Sequence, residues 1–306
     1  MSTVSTARRD IPAATEARSG LRGRIARHPL TAFLILGFGL AYPAMAVPIL
    51  AARGIIPGSS LPGALHIAPD ELAGVLLTLV GLFPAAMIVT WAIDGRAGVR
   101  RLVSRMLRWR VGVGWWLLVL AGLPALTVGF ALLLGGSLAS IDPVRVFVSQ
   151  LLLGAINFAL VNIWEETAWA GFLQTRLERR HSIVVAALLT AVPFEFMHWP
   201  LAFFGPVTVA SATIALAFYL LLGVIFRPML AVVMRGARNS VLLVAVMHTV
   251  FNRTNNDNGI AASIVNGDAR VLALPLAVIT LTAVTALVIR ARLGRAYRLQ
   301  LDAKEH

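Results

Sequence analysis

The sequence predicts an all-α polytopic membrane bundle of about eight transmembrane helices, and three observations carry that reading. Of the 306 residues, 58% are hydrophobic and only 13% are charged, against about 45–50% and about 25% in an ordinary soluble domain. Mean hydropathy is +0.81. The apolar residues are gathered into long runs, and the basic residues alternate between the segments that separate them. This composition excludes a disordered chain, a fibrous chain and most soluble folds. The runs are continuous rather than alternating, which excludes a transmembrane barrel.

Residues 1–28 contain six Arg and no apolar run, and read as a disordered tail. They are not a cleavable signal, because the apolar run that follows is too long and further spans come after it. A span needs about 20 apolar residues. Candidate runs are 30–52, 71–93, 113–136, 146–174, 183–204, 207–226, 239–252 and 271–289. The fourth is interrupted by Glu165 and Glu166. The seventh has 14 residues and ends in a polar stretch from Asn252 to Asn258. The expected organisation is a membrane domain over 29–292 and a cytoplasmic C-terminal tail over 293–306, with no internal repeat.

Arg supplies 26 of the 27 basic residues. The N-terminal tail, 94–112, 175–182, 227–238 and the end from 290 together hold 23 of them. The intervening segments hold only Arg53, Arg145, Arg253 and Arg270. The positive-inside rule then places the Arg-rich side, with both termini, in the cytoplasm. The net charge of +13 is accounted for by topology, so membrane lipids are expected partners and nucleic acid is not. The preference for Arg over Lys suggests a GC-rich bacterial genome, hence a bacterial inner membrane. Trp91, Trp115, Trp116 and Trp199 fall near span ends, where indole rings are favoured. The chain has no Cys, which removes disulfides, thiol nucleophiles and Cys-ligated metals.

Ionisable groups inside spans are costly and are functional by default. Most acids here lie in tails or loops. Those that remain are Glu165, Glu166, Glu195, His198 and His248, with Asn162 and Asn252 as polar neighbours. Glu165 lies about 16 Å before Arg176 along an unbroken helix, well inside the bilayer. Adjacent helical residues point about 100° apart, so Glu165 and Glu166 cannot do the same job. Glu195 and His198 are three apart and share a face, as do His248 and Asn252, four apart. His248 lies about 15 Å past Arg238, level with Glu165, whereas His198 lies about 27 Å past Arg180. A shared site therefore requires the fifth span to begin late, to tilt, or to bend at Pro193.

A carboxylate, two imidazoles and an amide are the parts for activating water: the carboxylate takes a proton, an imidazole positions or relays, and an amide donates to an oxyanion. Glu165, His198 and His248 could instead hold a metal with an open position, although no HExxH motif is present. Read singly, Glu165 and Glu166 could mark the cytoplasmic end of their span, His198 could bond a carbonyl, and His248 could make an interhelical hydrogen bond worth about 1 kcal/mol.

The segments EETAWAGFL, FEFMH and HTVFN resemble, in order, the three signatures of the CPBP family, the CAAX-protease and bacteriocin-processing intramembrane endopeptidases also called Abi. Phe194 and His198 match the second signature, and His248 and Asn252 the third. Arg238, Asn239 and Ser240 resemble the family's approach to that helix. The resemblance covers about 145–260. It implies a general-base role for Glu165, assistance or metal binding by His198 and His248, oxyanion stabilisation by Asn252, and a second carboxylate, Glu166, paired with the motif's Arg. It implies a membrane-embedded or lipid-anchored peptide substrate and leaves a divalent metal such as zinc open. One position departs: where the motif has Arg, this chain has Ala170. Glu166 thus lacks its expected partner, and a carboxylate buried without a counter-charge is disfavoured as an ion. The departure raises a second reading, a non-catalytic scaffold or immunity-type binder. A third, a transporter using Glu166 and Glu195 as proton carriers, is disfavoured by the missing inverted repeat. The role of Glu195 stays open between an orienting group and a structural acid.

Overall fold

The computed structural model describes residues 20–57, 68–205 and 207–305, with side chains as far as 292. In chain order the helices are α1 (Gly20–Arg27), α2 (Pro29–Ala52), α3 (Pro69–Met106), α4 (Val113–Leu133), α5 (Pro143–Leu177), α6 (Ile183–Phe204), α7 (Val209–Gly236), α8 (Val241–Asn255), α9 (Ile260–Ile264) and α10 (Ala269–Glu305). A short antiparallel ribbon pairs β1 (Ser137–Leu138) with β2 (Val265–Asn266), Ser137 opposite Asn266. Seven of the helices are long and apolar enough to cross a membrane, and the protein is an all-α multi-pass membrane bundle.

The remaining expected span is α8. Its 15 residues make about 23 Å, less than the hydrocarbon thickness of about 30 Å. It needs no lipid-crossing length because protein surrounds it: Val241, Leu243, Val244, Ala245, Met247 and His248 are all buried. The polar stretch that follows leads through α9 to the ribbon at the far end. Large apolar side chains such as Leu133, Phe147, Ile214 and Leu272 are exposed around the outside, as a lipid-facing surface requires.

Several boundaries differ from the sequence expectation. Residues 20–27, counted with the N-terminal tail, form α1, whose Arg22 stacks its guanidinium 4.5 Å from the Trp91 ring. Residues 1–19 of that tail lie outside the described residues. The sixth span was expected to end at 226, yet α7 runs to Gly236. Arg227 therefore stands inside a helix, followed by the apolar run Pro228 to Met234, and not in a cytoplasmic loop. The C-terminal tail expected over 293–306 continues α10 as far as Glu305.

Close helix approach is set by small residues. Gly81 of α3 lies against Ala41 of α2, and a Cβ at that glycine would come within 2.5 Å of the Ala41 methyl. The core of the Arg-rich half is aromatic: Phe33 meets Trp169 edge-on at 5.6 Å and Phe172 at 5.0 Å.

One arginine ties three elements together. Arg105, near the end of α3, donates to the Gly171 carbonyl at 3.0 Å, the Thr175 hydroxyl at 3.1 Å and the Asn239 carbonyl at 3.1 Å. Arg238 and Asn239 adopt left-handed φ of 54° and 59°, which turns α7 sharply into α8. Arg108 donates to the Arg238 carbonyl, and Ser240 donates to the Arg108 carbonyl at 2.6 Å while capping Leu243. Arg105, which the charge count treats as a topology residue, is a bracket between α3, α5 and the α7–α8 turn. Replacing it leaves carbonyls without donors at a protein-facing position. Arg105→Met should lower unfolding stability in detergent by about 2–3 kcal/mol. A change below about 0.5 kcal/mol, the range of ordinary surface substitutions, would show that the bracket carries no stability.

Candidate active site

Glu165 and Glu166 occupy a four-residue α-helical turn, Ile163–Glu166, between two π-helical stretches of α5, Phe158–Asn162 and Thr167–Gln174. Wide i→i+5 turns of this kind are rare and recur at functional sites. They free backbone carbonyls, and threonine side chains take these up: Thr167 donates to the Ile163 carbonyl and Thr175 to the Ala170 carbonyl, both at 2.7 Å.

The two carboxylates diverge, as their adjacent positions require. Glu165 meets α6: its Oε1 lies 3.3 Å from His198 Nε2. Its Oε2 lies 3.8 Å from His248 Nδ1 and 3.5 Å from the Asn162 amide nitrogen. Asn162 is itself fixed, since its Oδ1 accepts from the Thr249 hydroxyl at 3.0 Å. Glu166 meets α7 and α8. It accepts from Arg227 Nη1 at 2.8 and 3.0 Å and from His248 Nδ1 at 2.8 Å. Glu166 and Arg227 are fully buried, each at 0% exposure. Arg227 Nη2 donates to Gln174 Oε1 at 3.2 Å, and its guanidinium carbon lies 5.0 Å from the centre of the Phe194 ring.

Ala170 thus does not leave Glu166 unpaired, as the sequence expectation had it. The guanidinium comes from α7. Sequence reading missed Arg227 because it begins the basic segment 227–238. The signal that could have placed it was the apolar run after it, Pro228 to Met234, too long to be a loop.

The depth mismatch between Glu165 and His198 resolves at the helix ends. Helix α6 begins at Ile183, as the expected span did and three residues past the Arg180 used to count depth. Measured from Ile183, His198 is about 22 Å deep; measured from Leu177, Glu165 is about 18 Å deep. Pro193 lies within the helix, where it withholds one backbone hydrogen bond. After His198 the helix tightens into a 3-10 turn over Trp199–Phe204.

Hydrogen bonds fix the imidazoles. His198 Nδ1 lies 2.8 Å from the Phe194 carbonyl, an acceptor only, so Nδ1 carries a proton. His248 Nδ1 donates to Glu166 by the same reasoning. Rings enclose both: Phe194 centres 4.6 Å from His198, and Phe226 meets His248 edge-on at 4.9 Å. Glu165 Oε1 is buried and has no aligned hydrogen-bond donor. It faces His198 Nε2, so a proton or a small hydrogen-bonding molecule must reconcile the two atoms.

Two expected residues make no hydrogen bond to this cluster. Asn252 donates to Asn157 Oδ1 of α5 at 3.3 Å, one turn beyond His248. Glu195 is 3% exposed and makes no hydrogen bond or ion pair among the described residues. Its carboxyl packs on Gly223 of α7, where a Cβ would come within 2.7 Å of Oε1. No group of three or more His, Cys, Asp or Glu among the described residues is arranged to hold a metal ion, and the donors of Glu165, Glu166, His198 and His248 face one another. An apolar cavity of about 650 Å³ reaches Thr249 but none of these four residues. His198, with its side chain 22% accessible, is the open edge of the cluster.

Residues 147–254 match the family model described as type II CAAX prenyl endopeptidase Rce1-like. That segment runs from the first turns of α5 nearly to the end of α8 and contains Glu165, Glu166, His198, Arg227, His248 and Asn252. The match is to the CAAX-protease family, the one that the three motifs resemble. No curated protein matches the chain.

Breaking a buried ion pair from one side leaves an uncompensated charge and costs about 3–5 kcal/mol. Arg227→Met should therefore destabilise strongly in detergent unfolding. The double variant Arg227→Met/Glu166→Gln should recover at least half of that loss, because no charge is stranded. Additive losses would contradict a coupled pair.

Proposed function

We propose that the protein is an intramembrane endopeptidase that hydrolyses a peptide bond of a membrane-embedded or lipid-anchored substrate with water activated by Glu165. The carrying observation is the buried Glu165 Oε1, without a hydrogen-bond donor and 3.3 Å from His198 Nε2. The family match supports a CAAX-type intramembrane protease at the family level.

In this reading a water binds beside the Glu165 Oε1–His198 Nε2 contact, within reach of both atoms, and not between them. Glu165 takes one of its protons as the water oxygen attacks the scissile carbonyl carbon. The C–N bond then breaks, and Glu165 returns the proton to the leaving amine nitrogen. His198, with Nδ1 tied to the Phe194 carbonyl, presents Nε2 to the water. His248 sits beside Glu165 Oε2 and is oriented by Glu166. Asn252, next to His248 on α8, is the donor assigned to the oxyanion once its long bond to Asn157 opens. Arg227 and His248 both donate to Glu166, which leaves Glu165 as the carboxylate that faces the water.

The positive-inside rule makes the Arg-rich side cytoplasmic in a bacterial inner membrane, and Glu165 and His198 lie about 18–22 Å from it. The non-catalytic reading rested on Ala170 leaving Glu166 without a partner, and the Arg227 contact supports the catalytic reading against it. The transporter reading uses Glu166 and Glu195 as proton carriers, and the bonds from Arg227 and His248 to Glu166 count against it.

The test compares peptide termini in membranes carrying wild type or Glu165→Gln at matched folded levels. Wild type should generate termini that fall by about 10²–10⁴-fold in the variant, the range for loss of a general base. Identical termini in the two membranes would reject proteolysis by Glu165.

A further inference from the structure

On the Arg-rich face, where α1 turns into α2, α3 breaks and α5 ends, the structure forms a cavity of about 500 Å³. Its arginines and histidines are Arg27, His28, Arg176, Arg179, Arg180 and His181. Asp94 is the one acidic residue there, and it is already engaged: Arg176 donates to its Oδ2 at 3.1 Å and stacks 3.8 Å from the Phe172 ring. Gly95, with φ 61° and ψ −159°, breaks α3 beside Asp94 and opens the concavity. Among the described residues no carboxylate pairs with Arg27, Arg179 or Arg180. Four guanidiniums therefore share one carboxylate in a recess, a local surplus of three positive charges. Holding like charges together costs free energy that an entering anion offsets.

We propose that this cavity binds the anionic phosphate head group of a membrane phospholipid. Planar guanidiniums match phosphate oxygens in pairs, which a scattered charge patch does not provide. The recess stands at the ends of three apolar spans, at head-group depth, and Leu30 and Ile93 form its apolar wall. Basic pockets between transmembrane helices on the cytoplasmic side hold acidic head groups by this arrangement. The site lies about 16 Å along α5 from Glu165 and does not depend on proteolysis.

The test uses the full chain in detergent with short-chain phosphatidylglycerol, phosphatidylcholine of the same chain length and inorganic phosphate as probes, read by native mass spectrometry and by the thermal transition. Phosphatidylglycerol should bind at least tenfold more tightly than phosphatidylcholine and raise the transition temperature. A matching effect of inorganic phosphate would support the phosphate site but make the free anion its occupant. Arg27→Gln/Arg179→Gln/Arg180→Gln should erase the preference for phosphatidylglycerol. Arg96→Gln/Arg100→Gln/Arg110→Gln, which removes the same charge from exposed positions, should leave it unchanged. If the first triple variant does not fold, Arg27→Gln alone should weaken phosphatidylglycerol binding at least threefold. Equal binding of the two lipids by wild type, or equal loss in both triple variants, would overturn the site in favour of general charge attraction.

Discussion

The buried ion pair between Glu166 and Arg227 is the constraint on which the rest of the site depends. Neither group is tolerable alone at 0% exposure inside a membrane bundle. Together they fix where α7 stands relative to α5, because the guanidinium reaches both Glu166 and Gln174. Glu166 in turn accepts from His248, which sets the rotation of α8. His248 then places its ring beside Glu165. One charge pair thus determines the mutual orientation of three helices and, through them, the surroundings of Glu165.

The backbone devices around that pair serve the same end. The π-helical stretches either side of Ile163–Glu166 set the directions in which neighbouring carboxylates leave α5. The Arg105 bracket holds the second stretch against α3 and the α7–α8 turn. The short length of α8 follows from its place: a helix enclosed by others answers to the packing of its neighbours and not to bilayer thickness. Its buried face can therefore carry His248 and Thr249 at a density of polar groups that a lipid-facing helix could not afford.

Much of this was legible in the residues. Continuous apolar runs gave the helices, and the cost of ionisable groups in lipid singled out Glu165, Glu166, His198 and His248, which the fold does bring together. What the sequence hid were pairings between distant positions. Arg227 looked like a loop residue because basic residues near span ends report topology in most cases, and only its partner on α5 reveals that it is buried. Ala170 looked like a loss because a motif describes one helix, whereas counter-charge is a property of the space around a carboxylate. Asn252 matched its motif by spacing, yet spacing cannot show that Asn157 lies within reach of its amide. The π turns carry no compositional mark at all.

The central claim is that a guanidinium delivered from α7 does for Glu166 what the motif's arginine would do from position 170. It is tested most directly by measuring substrate cleavage in membranes for wild type, Arg227→Met and Arg227→Met/Ala170→Arg, at matched amounts of folded protein. The account predicts that cleavage is lost in Arg227→Met and regained when the charge is restored from α5. Cleavage at the wild-type rate by Arg227→Met would contradict it.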